Sequence, residues 1–218
     1  MKIATFGCSW THGLYEVNDF YSWPYALHKL KPDWQIDNYA VCGSSLQLQT
    51  FLLDDVLRNN TYDKIIFQIT TPGRLSYFEE DYDMTTALTE YETNYKRIET
   101  EDGFFRKVVT ITPGHMQLPK TNSFWRLHGK YKYARSYYGM LNKSIFRTEY
   151  KALVYYLKDK VDLMFMHNED SLKLDICPVV MEEVKKENIA IDSFIADNGE
   201  HFNIEGCDWE AKWVLDRL

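Results

Sequence analysis

The sequence predicts an α/β fold: a three-layer α/β/α sandwich with a mostly parallel sheet of about five strands. Two observations predict it. Short β-branched and aromatic runs alternate with amphipathic stretches through the first 70 residues, the rhythm of strands joined by crossover helices. Gly and Pro punctuate the ends of those runs, at Gly7, Pro32 and Pro72-Gly73, where extended or helical backbone stops.

In order, Lys2 to Phe6 has the composition of a buried strand. Gly7 allows a tight turn, and Ser9 follows at the strand's carboxyl end. Trp23 to Leu30 predicts a short helix closed by Lys31-Pro32. Trp34 to Tyr39 predicts a second strand, running into the small-residue loop Ala40 to Ser45. Leu48, Phe51, Leu52, Leu53, Val56 and Leu57 define one helical face over 46–57, with Ser44 or Ser45 as its cap. Asp63 to Thr70 is the strongest strand signal, stopped by Thr71-Pro72-Gly73.

The stretch at about 75–138 breaks this rhythm. It holds acidic and Thr-rich segments, a strand candidate at 108–112, and then Trp125, His128, Tyr131, Tyr133, Tyr137 and Tyr138 among basic residues. We read it as an inserted aromatic-rich cap, a lid or a platform for substrate. Residues 134–158 predict the longest helix, 161–166 another strand, 179–188 a helix with a solvated charged face, 189–192 a last short strand, and 206–218 a closing amphipathic helix. Without repeats or linkers, residues 1–218 read as a single domain.

Hydrophobic residues make up 45% and charged residues 26% of the chain, the balance of a globular protein with a real core. The net charge of −7 disfavours nucleic acid phosphate and anionic membrane as partners. There is no apolar run of spanning length and no signal-peptide core at the start. The expected setting is therefore the cytoplasm, or a virion, with reduced thiols. Cys8, Cys42, Cys177 and Cys207 lack the short paired spacing of a zinc site, so neither metal nor cofactor is expected.

The chemistry centres on Ser9 and His201. His201 lies in the polar loop 196–203, between the last strand and the last helix. A nucleophilic Ser needs a base within hydrogen-bond reach and a third group to orient the imidazole. Both residues are expected at the carboxyl edge of the sheet, where ligands of open α/β folds collect.

FGCSWTHG at the start, NYAVCGSS, IIFQITTPGR and DNGEHFNIEGCDWEA near the end resemble the ordered blocks of the SGNH (GDSL) hydrolases. The GCSxTxG opening is similar to small phage-encoded members of that family. The resemblance implies the family's flavodoxin-like fold and a serine esterase or acylhydrolase working through an acyl-enzyme. It implies Ser9 as nucleophile and His201 as general base, with the Ser9 and Gly43 backbone N–H groups in the oxyanion hole. The family's third triad member falls on Asn198, so Asp197, one residue further away, is the preferred partner. The family's oxyanion Asn falls on Pro72, which has no amide to offer. Thr71 is the candidate substitute donor, and Arg74 a cationic one suited to an anionic substrate. Trp10, His12, Arg74 and Asn198 complete the candidate substrate-binding set. The expected substrate is a small-molecule or carbohydrate ester, an O-acetyl sugar foremost. The alternatives are a non-catalytic binding or structural protein on a degenerate version of this fold, and an O-acyltransferase.

Overall fold

The computed structural model describes residues 1–16, 19–70, 74–78, 88–98, 108–111, 143–167, 177–196 and 201–218. Its centre is a six-stranded sheet. Strand β1 (Lys2–Phe6) lies between β4 (Gln35–Asn38) and β5 (Lys64–Ile69), and β10 (Leu163–Met166) pairs with β5, all in parallel. Beyond β4 come β8 (Tyr95–Ile98), parallel to it, and β7 (Leu88–Glu92), antiparallel to β8. Two small ribbons, β2 (Leu14–Glu16) with β3 (Asp19–Tyr21) and β6 (Leu75–Phe78) with β9 (Val108–Ile111), stand apart from the main sheet.

Alternation along the strands builds two cores. Ala4, Phe6, Ile65, Phe67, Met164 and Met166 face one side, where α3 (Leu46–Asn59) and α4 (Lys143–Lys158) pack through Leu52, Leu53, Val56, Tyr150, Val154 and Leu157. Ile3, Ile36, Ile66 and Phe165 face the other. There α2 (Trp23–Leu30), α5 (Val180–Lys186) and α6 (Ile204–Leu215) supply Trp23, Leu27, Val184, Trp213 and Val214. Period-two side chains on strands buried on both faces are what a three-layer sandwich demands. The first crossover leads from β1 to β4, and the next passes back over β1 to β5. The strand order therefore reverses beside β1, the point at which an open α/β sheet forms its crevice outside the carboxyl ends of the strands.

Several expectations change. Part of the stretch assigned to a cap, Leu88–Glu92 and Tyr95–Ile98, extends the main sheet instead of standing over it. Its aromatic segment at 125–138 lies outside the described residues, as do 134–142 of the predicted long helix. The expected strand at 189–192 is a 3₁₀ turn (Ile191–Ser193). Its backbone closes on itself through Ser193 N–H to Ala190 O and Phe194 N–H to Ile191 O. Just before it, Ile189 N–H donates to Val184 O, so the segment closes onto the end of α5 and not onto a strand. Of the two candidate caps for α3, Ser45 accepts from Leu48 N–H at 3.1 Å. Ser44 instead donates to Gly7 O at 3.0 Å. No described helix is long and apolar enough to cross a membrane.

Candidate active site

The crevice is built from the turn after β1. Gly7 is required there by close packing: a Cβ on it would lie 2.4 Å from Thr11 Oγ1 and 2.6 Å from Gln68 Oε1, closer than real carbon atoms come. The chain then enters a single helical turn, α1 (Ser9–His12), with Ser9 first.

That turn is held from below by buried polar groups. Gln68, on β5, accepts from Thr11 Oγ1 at 2.6 Å and from Cys8 N–H at 3.3 Å. Gln49, on α3, accepts from Gly7 N–H at 3.0 Å. Asn38, on β4, donates to Thr11 O at 2.9 Å, and Trp23 Nε1–H donates to Thr11 Oγ1 at 3.2 Å. These elements thus fix the residues on either side of Ser9, through Gly7, Cys8 and Thr11, with bonds made away from water, where losing either partner is costly.

Against this turn lies His201. His201 Nε2 is 2.7 Å from Ser9 Oγ, across 192 positions of sequence. Its loop is anchored on both sides. Ala196 N–H donates to His201 O at 2.8 Å, and Asn203 N–H donates to Phe194 O at 2.7 Å. Asn203 also caps α6, accepting from Gly206 N–H at 2.9 Å, and its amide donates to Ser193 O at 2.8 Å. Asp197 and Asn198, the two candidates for the third triad position, lie outside the described residues, as does Thr71.

The loop carrying Gly43 is tied to the same turn. Gly7 O accepts both from Val41 N–H at 3.1 Å and from the Ser44 hydroxyl. Gly43 has φ +72°, the left-handed region that glycine enters at no steric cost. Among the described residues, nothing lies within 4 Å of where a Cβ at this position would sit. Arg74 Nη1 donates to Ser44 O at 3.5 Å, so its guanidinium stands beside this loop. Burial, with the neighbouring Cys8, pushes the Cys42 thiol up to about 12, while Arg74 and Arg97 oppose the shift. Both cations therefore act on the loop next to Gly43.

His12 is not at the crevice surface. It is 1% exposed, with its ring nitrogens 3.2 Å from the carbonyl oxygens of Gly13 and Ile98 and Nδ1 3.6 Å from Cys42 Sγ. Burial holds its pKa below the usual histidine value, outweighing the Gly13 carbonyl. These contacts join α1 to the Gly43 loop and the β8 end. Trp10 does flank the pair: its ring is 5.0 Å from that of His201 and stacks at 4.1 Å on His167. His167 in turn lies 2.8 Å from the buried Glu210.

Sequence reasoning does not single out His167, Glu210, Thr11, Asn38, Gln49 or Gln68 as site residues. Thr11 had one signal, its place in GCSxTxG. Cys8 is buried, and its Sγ contacts Gln68. Among the described residues, no group of three or more His, Cys, Asp or Glu is arranged to hold a metal ion.

No family model matches the chain, and no curated protein matches it either. Among solved structures the chain is similar to a protein from Desulfitobacterium hafniense DCB-2 described as a G-D-S-L family lipolytic protein. The identity is 11%, covering 100% of this chain and 99% of that one, with a TM-score of 0.43. A likeness of that size carries neither family nor chemistry, so the α/β fold rests on its own strand order and the site on its own distances.

Proposed function

We propose that this protein is a serine hydrolase of ester bonds. The observation that carries the proposal is the 2.7 Å contact between Ser9 Oγ and His201 Nε2 at the carboxyl end of a parallel sheet. Such contact is the reach a general base needs to take a hydroxyl proton. Ser9 gives its proton to His201 Nε2 as Oγ bonds to the ester carbonyl carbon. The Ser9 and Gly43 N–H groups receive the oxyanion. Collapse breaks the ester C–O bond, the alcohol takes the proton from His201, and a water activated by the same imidazole releases the acyl group from Ser9. Asp197 would hold the imidazole, and Thr71 would add a donor to the oxyanion.

The substrate we propose is an O-acetyl ester of a carbohydrate, with the sugar faces stacking on the aromatic side chains of 125–138. A binding protein on the same fold is the rival, favoured by Pro72 and Asn198 at positions where a hydrolase of the resembling family carries Asn and Asp. Hydrolysis of p-nitrophenyl acetate by the wild type and Ser9→Ala separates them. A folded Ser9→Ala is expected to lose about 10³-fold or more of kcat. Undiminished turnover in that variant removes Ser9 as nucleophile, and a wild type inert toward acetyl esters favours the binding protein.

A further inference from the structure

Ser9 and His201 come from opposite ends of the chain, yet the residues that follow them meet on one ring. Trp10, next after Ser9, stacks on His167 with centroids 4.1 Å apart and planes 24° from parallel. Phe202, next after His201, meets the same imidazole edge-on at 5.2 Å and 72°. Trp10 and Phe202 also touch each other, at 5.3 Å and 88°. His167 itself is fixed in turn. It follows directly on β10, and its Nε2 lies 2.8 Å from Glu210 Oε1, on the helix that His201's loop leads into. The two residues are 4% and 1% exposed.

We propose that His167 is a positioning residue for the Ser9–His201 pair. Its ring is the spacer that sets how closely the Ser9 turn and the His201 loop approach, and Glu210 packs beside that ring at 2.8 Å. This rests on the esterase reading for its consequence in turnover, but not for its geometry. A flat ring is needed because Trp10 uses its face and Phe202 its edge, the two geometries aromatic contacts favour. The ionic character of the pair is secondary: a buried ion pair can be replaced by apolar groups of similar volume at little cost to stability. Displacing a nucleophile from its base by about 1 Å can cost on the order of 10²-fold in rate.

Two double substitutions isolate the ring, and neither strands a charge in the core. His167→Phe with Glu210→Met keeps the aromatic spacer; His167→Ala with Glu210→Met removes it. With p-nitrophenyl acetate, the first is expected to keep kcat within about fivefold of wild type, and the second to lose about 10²-fold at an unchanged KM. If the alanine variant does not fold, His167→Leu with Glu210→Met fills the volume without a flat ring and is expected to fall below the phenylalanine variant by about tenfold.

A readout independent of turnover is the NMR titration of the His201 Cε1–H, with Ser9→Ala as the reference for a lost contact. The phenylalanine variant should titrate as wild type and the ring-less variant as Ser9→Ala. Equal kcat and equal titration curves in the two doubles overturn the proposal. A wild type without esterase activity overturns the esterase reading alone, and the titration then decides this one.

Discussion

The Thr11 hydroxyl donates to the Gln68 side-chain carbonyl at 2.6 Å, joining the turn that bears Ser9 to the neighbouring strand β5. Thr11 also receives the Trp23 indole N–H on the same oxygen. Thr11→Val deprives two buried groups of a partner, and the expected loss is about 1–3 kcal/mol. Thr11→Ser, which keeps the hydroxyl, is expected to recover most of it. Urea unfolding at constant m-value measures both, and kcat for an acetyl ester is expected to fall in the valine variant more than in the serine variant.

His12 makes stability depend on pH. Burial lowers its pKa in the folded protein, outweighing the Gly13 carbonyl, and burial lowers that of His28 as well, against the pull of Glu92. As pH falls below about 6.5, the unfolded chain takes up protons that the folded chain refuses, so stability falls with pH. Each such histidine contributes a slope of at most about 1.4 kcal/mol per pH unit. His12→Gln is expected to flatten the profile between pH 7 and pH 5, as followed by urea midpoints.

Asn203 serves the helix and the loop together. Its carbonyl caps α6 through Gly206 N–H, and its amide reaches Ser193 O. Asn203→Ala is expected to cost about 0.5–2 kcal/mol. Asn203→Asp keeps the cap acceptor and loses the donor to Ser193, so it should retain more stability than the alanine variant in thermal unfolding. Because His201 is two residues away, both variants should also lower kcat.

Arg74 stands at the Gly43 loop, with Nη1 donating to Ser44 O. If it recognises a negative group on the substrate, Arg74→Gln should lower kcat/KM for an anionic acyl ester by about tenfold, or about 1.4 kcal/mol. A neutral acetyl ester should be nearly unaffected. The difference should shrink at high salt, because exposed charge pairs are screened. Equal losses on both esters would assign Arg74 to the loop's structure alone.

What the residues announced locally, the fold kept. Lys2–Phe6, Leu46–Asn59 and Lys64–Ile69 carry dense apolar periodicity, and each is the strand or helix its period required. The edge strand Leu88–Glu92 was not legible. Its residues Thr89, Glu90 and Tyr91 are exposed and a bulge falls between Glu90 and Glu92, so no alternation marks it. Such bulged, charged edges deter pairing with another chain. The ribbon Leu14–Glu16 with Asp19–Tyr21 was missed because three-residue strands are too short to show a period.

In the site, Ser9 and His201 can be singled out together, because a Ser after a strand-ending Gly and a His in a polar loop fall in sequence blocks, FGCSWTHG and DNGEHFNIEGCDWEA, that resemble an ordered set. Asn38 and Gln68 could not. A buried amide looks like any surface amide in the sequence, and their Thr11 partner lies 27 and 57 positions away. His167 and Glu210 hid for the same reason, since only the folded chain brings strand end and helix together.

The span between Ser9 and His201 also has a consequence for folding. Their contact closes a separation of 192 positions, and so distant a pairing forms only after the strands between them have come together. The pair therefore reports completion of the sheet, and a partly folded chain holds the hydroxyl and the imidazole apart.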